Sequence, residues 1–431
     1  MTFTKTILKN GLRIITIPMQ DNPAVTVLVM VEAGSKYETK ETNGISHFLE
    51  HMIFKGTPRR PKASDIAREL DSLGSEYNAF TSEEYTGYYA KVDPRHIDTA
   101  LDIVSDMYQN PLFEASEIEK EKGVIIEEIK MYKDLPQREV HHVLGKLMHG
   151  DQPAGWTVLG PEENIRSFNE KTFLDYRAKH YVASSTIVII AGQIKEKEII
   201  KKVEKLFAKI PQDKKAGKLA VKESQKNPQI ASVYKKTDQT HLAFGIRSFP
   251  VNDKRIPIMK VLSAVLGKGM SSRLFSRMRD ELGICYYIHT SHSAYTDHGE
   301  LNISAGLDTK RVELGIKNII IELNRLKDEL VSEVELKKAK DYIAGTSMLN
   351  LETSDAQADF AGHQEILKRE IRKPEKIIEE MGKVTAKKIQ KLAKEIFVNK
   401  NLNMAIIGPY KEKNKNKNRF DNLVTFDILN K

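Results

Sequence analysis

Two histidines four residues apart are the strongest chemical signal in this sequence of 431 residues. They belong to the segment HFLEH, residues 47–51, which is predicted to be helical. Because four residues make a little over one helical turn, His47 and His51 project from one face, and Glu50 lies near it. Neutral imidazole and carboxylate are ordinary zinc ligands. The segment predicts a zinc ion bound by His47 and His51, the alternative being two unrelated surface or core histidines.

Glu50 is the candidate catalytic base of this site. A catalytic zinc ion takes three protein ligands and leaves one position for water. Zinc lowers the pKa of a bound water to about 7, so a neighbouring carboxylate can take its proton at neutral pH. This chemistry is hydrolytic, and it needs one further ligand from another element.

The third ligand is expected from a glutamate-rich helix predicted at about residues 115–134. Glu121 and Glu128 are seven residues apart and therefore share one face across two turns. Glu127 points about 100° away from Glu128. Sequence spacing alone leaves both Glu127 and Glu128 open as the ligand.

The elements that must position these residues are a mixture of strands and helices, which predicts an α+β architecture. Strands are predicted within residues 5–34, and a hairpin rich in aromatic and β-branched residues at 77–92. The helices predicted in the first part of the chain are at about 43–55, 63–73, 95–109 and 115–134.

A lysine-rich, proline-bounded segment near the middle of the chain, PQDKKAGKLAVKESQKNPQI, predicts an interdomain linker. Short motifs recur on its two sides: SEIE (116–119) resembles SEVE (332–335), and SLGSEYNAFT resembles ELGICYYIHT. The sequence therefore predicts an internal repeat. The expected boundaries are residues 1–212 for the half with the histidines, 213–230 for the linker and 231–431 for a homologous half.

Composition narrows the possible partners and compartments. The net charge is +9, but the lysines alternate with glutamates along the chain, which favours a solvated surface and no nucleic-acid partner. The single cysteine, Cys285, excludes an intrachain disulfide. No apolar run is long enough to cross a membrane, and the first residues lack a secretory pattern. A cytoplasmic protein without a membrane partner is expected.

The whole sequence resembles the pitrilysin family of zinc metallopeptidases, in which HFLEH is the inverted zinc motif that defines an inverzincin. It is most similar to the short-subunit branch, which includes the mitochondrial processing peptidase β-subunit and its bacterial homologues. The resemblance covers nearly the entire chain, and the segments that carry it are NGISHFLEHMIFKGT, EKEKGVIIEEIKMYKD, LGPEENI and GKGMSSRLFSRMRDELGICYY.

The resemblance also assigns roles to acidic residues. In the family, the third zinc ligand is the second glutamate of a pair seven residues apart, which implies Glu128 here. The first glutamate of the pair is Glu121, which the resemblance places in a supporting catalytic role, orienting His51.

Substrate-binding residues are implied in both halves. Asn78, Ala79 and Phe80 lie on a predicted edge strand that, in relatives, pairs with an extended substrate. Arg273 and Tyr286 resemble the arginine–tyrosine pair that holds the substrate backbone and stabilises the oxyanion. The second half has no His-x-x-Glu-His motif, so it is expected to clamp substrate without binding metal.

The resemblance implies two homologous α/β-sandwich halves, each a mixed, mainly antiparallel sheet flanked by helices, which together form half of a clamshell. It implies a zinc endopeptidase with one zinc ion per chain. Paired subunits, as a homodimer or as a heterodimer with a paralogue, would enclose peptides or unfolded segments in a chamber. The alternative is a non-catalytic structural or assembly subunit, which an intact zinc motif disfavours.

Overall fold

The computed structural model describes residues 1–411 and 418–427. The segment KEKNKNKN, residues 411–418, is of low complexity and is predicted from its composition to be flexible. Its residues 412–417 lie outside the described residues. Within the described ranges, no helix combines the length and the apolar character needed to cross a membrane.

Up to residue 134, the regular elements follow the order expected from the sequence. The strands are β1 (Thr4–Ile7), β2 (Arg13–Pro18), β3 (Val25–Val31), β4 (Glu76–Thr81), β5 (Thr86–Val92), β6 (Thr186–Gly192), β7 (Gln229–Tyr234), β8 (Gln239–Ser248), β9 (Cys285–Ala294), β10 (Gly299–Asp308) and β11 (Leu402–Gly408). The helices are α1 (Ile45–Ile53), α2 (Ala63–Ser72), α3 (Ile97–Gln109), α4 (Ala115–Asp134), α5 (Pro136–His149), α6 (Glu162–Ser167), α7 (Glu170–His180), α8 (Glu196–Leu206), α9 (Ile256–Gly267), α10 (Arg273–Phe275), α11 (Val312–Asp328), α12 (Glu333–Leu349), α13 (Ser354–Lys368), α14 (Pro374–Gly382) and α15 (Ala386–Ile396).

The first compact unit comprises residues 1–130, 156–219 and 348–373. Its sheet has the strand order β1-β2-β6-β3-β5-β4. Strands β3 and β6 are buried along their whole length, which explains their continuous apolar sequences. Helix α3 packs against β3 and β5, while α13 packs against β2, β3 and β6. A Cβ atom on Gly362 of α13 would lie 2.4 Å from Met30 Sδ, so this helix approaches the sheet closely.

The second compact unit comprises residues 131–155 and 220–347 together with the described part of 374–431. Its sheet has the order β7-β11-β8-β10-β9. A large apolar core lies on one face of this sheet and includes residues of α9, α11 and α15. On the other face, Val140, Leu144 and Met148 of α5 pack against Ala243 and neighbouring residues of β8 and β11.

The two sheets confirm the predicted pair of α/β halves. In each sheet a parallel pair, β2 with β6 or β7 with β11, is followed by three antiparallel pairings in the same order. The compact units are nevertheless not contiguous in sequence. Helix α5 precedes the predicted linker but belongs to the second unit, and α13 follows the linker but belongs to the first unit. Each helix packs against the sheet of the other half of the sequence. The expected boundaries at 212 and 231 do not include this exchange.

The predicted linker begins as a segment without helix or strand, and ion pairs bind it to the first unit. Lys218 Nζ lies 3.0 Å from Glu84 Oε1, and buried Lys36 Nζ lies 3.0 Å from the same oxygen. Burial raises the pKa of Glu84, but the two ammonium groups lower it by more, so the net pKa lies below its usual value. Glu84 lies in the turn between β4 and β5. These ion pairs therefore stabilise the hairpin that contains the predicted substrate strand.

Candidate metal centre

Helix α1 presents one face to the core and the other to the predicted metal site. Phe48, Leu49 and Met52 are fully buried on the core face, while His47 and His51 lie one turn apart, as their spacing predicts. The helix begins after Gly44, whose φ of +100° favours glycine. A Cβ atom on Gly44 would lie 2.7 Å from the carbonyl oxygen of Leu159, so a side chain there would displace the start of the helix.

A buried carboxylate that the sequence reasoning missed holds the first turn of α1. Glu38 accepts hydrogen bonds from the backbone N–H groups of Gly44 and Ser46, both at 2.8 Å, and from Asn43 Nδ2 at 2.9 Å. Burial raises the pKa of Glu38, and these hydrogen bonds oppose that effect. Because a carboxylate satisfies the free N–H groups at a helix N-terminus, Glu38 fixes the position of the helix that carries both histidines.

Replacing Glu38 with alanine is expected to destabilise the first unit by about 1–2 kcal/mol, the usual effect of losing a helix cap. It is also expected to weaken zinc binding by about tenfold, because the histidines lose their fixed placement. Thermal unfolding and titration against a fluorescent zinc chelator measure the two effects. Glu41→Ala is the matched control, since Glu41 is exposed in the same loop. Unchanged zinc affinity in Glu38→Ala would contradict this role.

His47, His51 and Glu128 converge on one point. Glu128 Oε2 lies 3.5 Å from His47 Nε2 and 3.6 Å from His51 Nε2. One ligand atom from each residue lies within 4.8 Å of the other two. Among the described histidine, cysteine, aspartate and glutamate residues, no other group of three or more is this close. Glu127, the alternative ligand, is an exposed residue whose Oε1 accepts a hydrogen bond from Lys130 at 2.7 Å. The geometry therefore separates the two glutamates that sequence spacing left open.

The donor set fits a zinc ion. A tetrahedron with metal–ligand bonds of about 2.0–2.2 Å has edges of about 3.3–3.6 Å, which matches the two histidine–glutamate separations. Burial, with a smaller contribution from His51, lowers the pKa of His47 to about 3, so its imidazole is neutral and able to bind metal. His47 Nδ1 is buried and has no hydrogen-bond partner among the described residues.

Glu121 lies beside His51 as the resemblance implied. Its Oε1 is 2.8 Å from His51 Nδ1, and its Oε2 is 2.5 Å from Lys55 Nζ. Burial raises the pKa of Glu121, but the hydrogen bonds from His51 and Lys55 lower it by more. An ionised Glu121 holds the proton of His51 on Nδ1 and leaves Nε2 free to bind metal. Lys55, one turn after His51, was not predicted from the sequence.

The last residue of strand β4, Thr81, holds the Glu50 carboxylate by a hydrogen bond. Its Oε2 accepts a hydrogen bond of 2.5 Å from Thr81 Oγ1, which leaves Oε1 available to another donor. Burial raises the pKa of Glu50, and the Glu128 carboxylate adds to this rise against the opposing effects of Thr81 and His51. A carboxylate with a raised pKa beside a metal site has the properties of a general base.

The predicted substrate residues lie on β4, which is the outer strand of its sheet. Asn78 is exposed, Ala79 is buried and Phe80 is partly buried. Helix α1 packs against this strand. Because β4 pairs only with β5 among the described strands, its other edge can accept an extended peptide by backbone hydrogen bonds.

Tyr286 and Arg273, expected to act as a pair, have different surroundings within the second unit. Tyr286 is 70% exposed and is the extra residue of a β-bulge, since its neighbours Cys285 and Tyr287 pair with Leu307 and Gly306. Arg273 makes two hydrogen bonds to Glu335, at 2.6 and 2.9 Å.

The arginine that contacts Tyr286 is Arg279. Its guanidinium carbon lies 5.3 Å from the Tyr286 ring centroid, and its Nη1 donates a hydrogen bond to the Tyr286 carbonyl oxygen. Arg279 and Tyr286 are separated by seven residues across a tight turn at Gly283, whose φ is +56°. This local spacing is the signal in the sequence that could have identified the contact.

The fold and the site define a class of protein with two α/β units, a His-x-x-Glu-His helix in the first and a glutamate from a distant helix beside the two histidines. Comparisons identify the family. A model of the insulinase family, peptidase family M16, matches residues 13–162, and a model of the peptidase M16 inactive domain matches residues 167–343. The chain is 37% identical over 404 residues to the uncharacterized zinc protease YmxG of Bacillus subtilis, covering 93% of this chain and 97% of that protein. This chain belongs to peptidase family M16, which confirms the resemblance to pitrilysin.

Other relatives and solved structures agree. An uncharacterized zinc protease of Rickettsia felis is 34% identical over 403 residues, covering 93% of this chain and 96% of that protein. A protease from Helicobacter pylori has the same fold with a TM-score of 0.89, at 22% identity and with 95% of this chain and 99% of that chain covered. A peptidase M16 inactive domain from Pseudomonas fluorescens has a TM-score of 0.88, at 15% identity, covering 96% of this chain and all of that chain.

Proposed function

We propose that this protein is a zinc-dependent endopeptidase that hydrolyses peptides and unfolded protein segments. The observation that carries the proposal is the meeting of His47, His51 and Glu128, in which both histidine–glutamate separations match the edge of a zinc tetrahedron. Glu50 lies on the same helix as the histidines. The names of the bacterial relatives, zinc proteases, support it. An intact ligand set together with a base disfavours a purely structural subunit.

The residues of the chain divide the reaction between them. A bound zinc ion supplies a Lewis acid that polarises the scissile carbonyl and makes water more acidic. Glu50 accepts the proton of the attacking water and returns it to the leaving amine. Thr81 keeps the Glu50 carboxylate in place. Glu121 orients His51, and the free edge of β4 holds the substrate backbone extended.

This mode of binding selects substrates by their backbone. A segment that pairs with β4 must have free N–H and C=O groups along several residues, which folded proteins rarely expose. Digestion of a mixed peptide library, analysed by mass spectrometry, is expected to give internal cleavages, while a stably folded protein of similar mass stays intact. Failure to cleave any peptide with zinc bound would overturn the proposal.

We also propose that Arg279, rather than Arg273, supports Tyr286 in holding the substrate and the oxyanion. Arg279 contacts Tyr286, whereas Nε and Nη2 of Arg273 are both paired with Glu335. Arg279→Gln is expected to lower kcat/KM by about 10–100-fold without a large change in melting temperature. Arg273→Gln is expected to lower the melting temperature instead. The reverse pattern would restore Arg273 to the role.

Pairing of subunits is proposed as the way in which the substrate chamber is closed. The described residues form two repeated sheets, and solved proteins of the same fold have no more than this in one chain, because the match covers nearly their whole length. Further walls of a chamber would therefore come from a second subunit. The partner is a second copy or a paralogue, each binding one zinc ion where its motif is intact. Sedimentation analysis alongside activity measurements tests this. A stable, fully active monomer at assay concentrations would overturn it.

A further inference from the structure

The second unit contains an open groove whose lining is unlike the rest of its sheet. The groove has a volume of about 370 Å³ and lies between α5 and the outer strand β9. Its polar lining consists of Gln137, Arg138, His141, Tyr287, His289 and Ser304. The mechanism proposed above uses none of these residues.

The groove exists because α5 covers only part of its sheet face. The helix packs mainly against β7, β8 and β11 and leaves the β10–β9 side open. Tyr287 and His289 point to this face, where a Cβ atom on Gly306 would meet the Tyr287 ring at 2.5 Å and where His289 pairs with Ser304. In the first unit, the face that α13 covers is built from Leu28, Met30 and other apolar residues. The two faces therefore differ in that the helix of the second unit leaves a polar groove beside it.

The groups that face the groove are mostly hydrogen-bond donors. Arg138 donates to Tyr132 Oη at 3.1 Å with one of its N–H groups, and the rest of its guanidinium lines the groove. His141 Nε2 lies 3.2 Å from Ser304 Oγ, and Tyr287 Oη lies 3.0 Å from His241 Nδ1. His289 has no hydrogen-bond partner among the described residues.

The charge of the groove favours an anion. Among the described residues, no carboxylate lines it. Glu300 acts on His141 only through space and is hydrogen-bonded to His149 and Asn302. Burial lowers the pKa of His141, and the proximity of His289 lowers it further. Burial and Lys268 likewise lower the pKa of His289. The imidazoles are thus neutral, each with one N–H group, beside a cationic guanidinium. A carboxylate can accept hydrogen bonds from these groups together.

We propose that this groove binds a carboxylate of the peptide substrate, either its C-terminal carboxylate or an acidic side chain. The inference rests on the proposed peptidase function. A metal ion is the alternative ligand for a histidine pair, but the groove has no third ligand at binding distance among the described residues. With its volume, the groove accommodates one terminal residue or one side chain of a peptide.

The test compares matched peptides with single changes. One pair differs in a free or an amidated C-terminus, and the other has glutamate or glutamine at one internal position. For the zinc-loaded wild-type protein, kcat/KM in one pair is expected to be about tenfold higher for the peptide with the carboxylate than for its amide. The pair that shows this preference tells whether the groove binds the C-terminal carboxylate or the acidic side chain. Arg138→Gln and His289→Gln are expected to reduce this ratio to nearly one.

The control variant is His142→Gln. His142 is adjacent to His141 on α5, but its Nδ1 lies 3.2 Å from Glu139 and it does not line the groove. It is expected to retain the wild-type preference. Equal kcat/KM for both forms in both peptide pairs, or a preference that survives in Arg138→Gln and His289→Gln, would overturn the proposal.

A binding assay separates this inference from the proposed function. Fluorescence anisotropy with labelled versions of the same peptides is measured on zinc-loaded Glu50→Gln protein, with and without His289→Gln. If the wild-type protein cleaves no peptide but the carboxylate form binds about tenfold more tightly, the proposed activity fails and the groove assignment stands. Equal Kd values for the two forms in both pairs would remove the groove assignment, whatever the activity.

Discussion

Replacing Glu50 with glutamine is expected to reduce kcat by about 10²–10⁴-fold while the zinc content stays at the wild-type level. Glutamine has nearly the same shape and can still accept the hydrogen bond from Thr81 through its amide oxygen. It cannot take a proton from water at neutral pH. The ligands His47, His51 and Glu128 are unchanged, so metal binding is expected to persist.

Measurement of single-turnover cleavage, with metal analysis of the same preparation, separates these two effects. Glu50→Asp is the comparison variant, because it keeps the carboxylate but withdraws it by one methylene from the attacking position. Activity between those of the wild type and Glu50→Gln is expected for it. A Glu50→Gln protein with zinc bound and with wild-type kcat would show that another group is the base.

The parts of the site that lie within one helix were predictable from the sequence. A helical segment fixes the direction of each side chain, so the HFLEH spacing placed His47 and His51 on one face before any tertiary contact was known. The same rule gave a shared face to Glu121 and Glu128 on α4, which spans Ala115–Asp134 as expected. Local periodicity carries this information because the backbone geometry of a helix is nearly invariant.

Contacts between distant segments could not be read in this way. The carboxylate of Glu38 reaches the N-terminus of α1 through a loop whose conformation no periodic pattern specifies. Arg273 pairs with Glu335, 62 residues away, a contact that its spacing from Tyr286 does not indicate. The exchange of α5 and α13 between the units was also hidden, because an amphipathic helix shows that it covers an apolar surface but not which one.

The sequence could not choose between Glu127 and Glu128 for the same reason, because the choice depends on a contact with the distant helix α1. Substituting each glutamate gives the sharpest test of the metal site. Glu128→Gln is expected to weaken zinc binding by more than about 100-fold, beyond the usual effect of removing a supporting residue. Glu127→Gln is expected to leave it within about twofold, because Glu127 is exposed and its Oε1 pairs with Lys130.

Competition with a fluorescent zinc chelator measures both affinities under the same conditions, and Glu121→Gln extends the series. Glu121 contacts His51 and not the proposed metal position, so its loss is expected to cost only about 10–100-fold. The ranking Glu128, Glu121, Glu127 follows from the atom that each carboxylate faces. Glu128 faces His51 Nε2 and Glu121 faces His51 Nδ1, while Glu127 pairs with Lys130. Loss of zinc in Glu127→Gln with retention in Glu128→Gln would place the ligand about 100° around α4. The observed geometry would then not be that of the metal-bound protein.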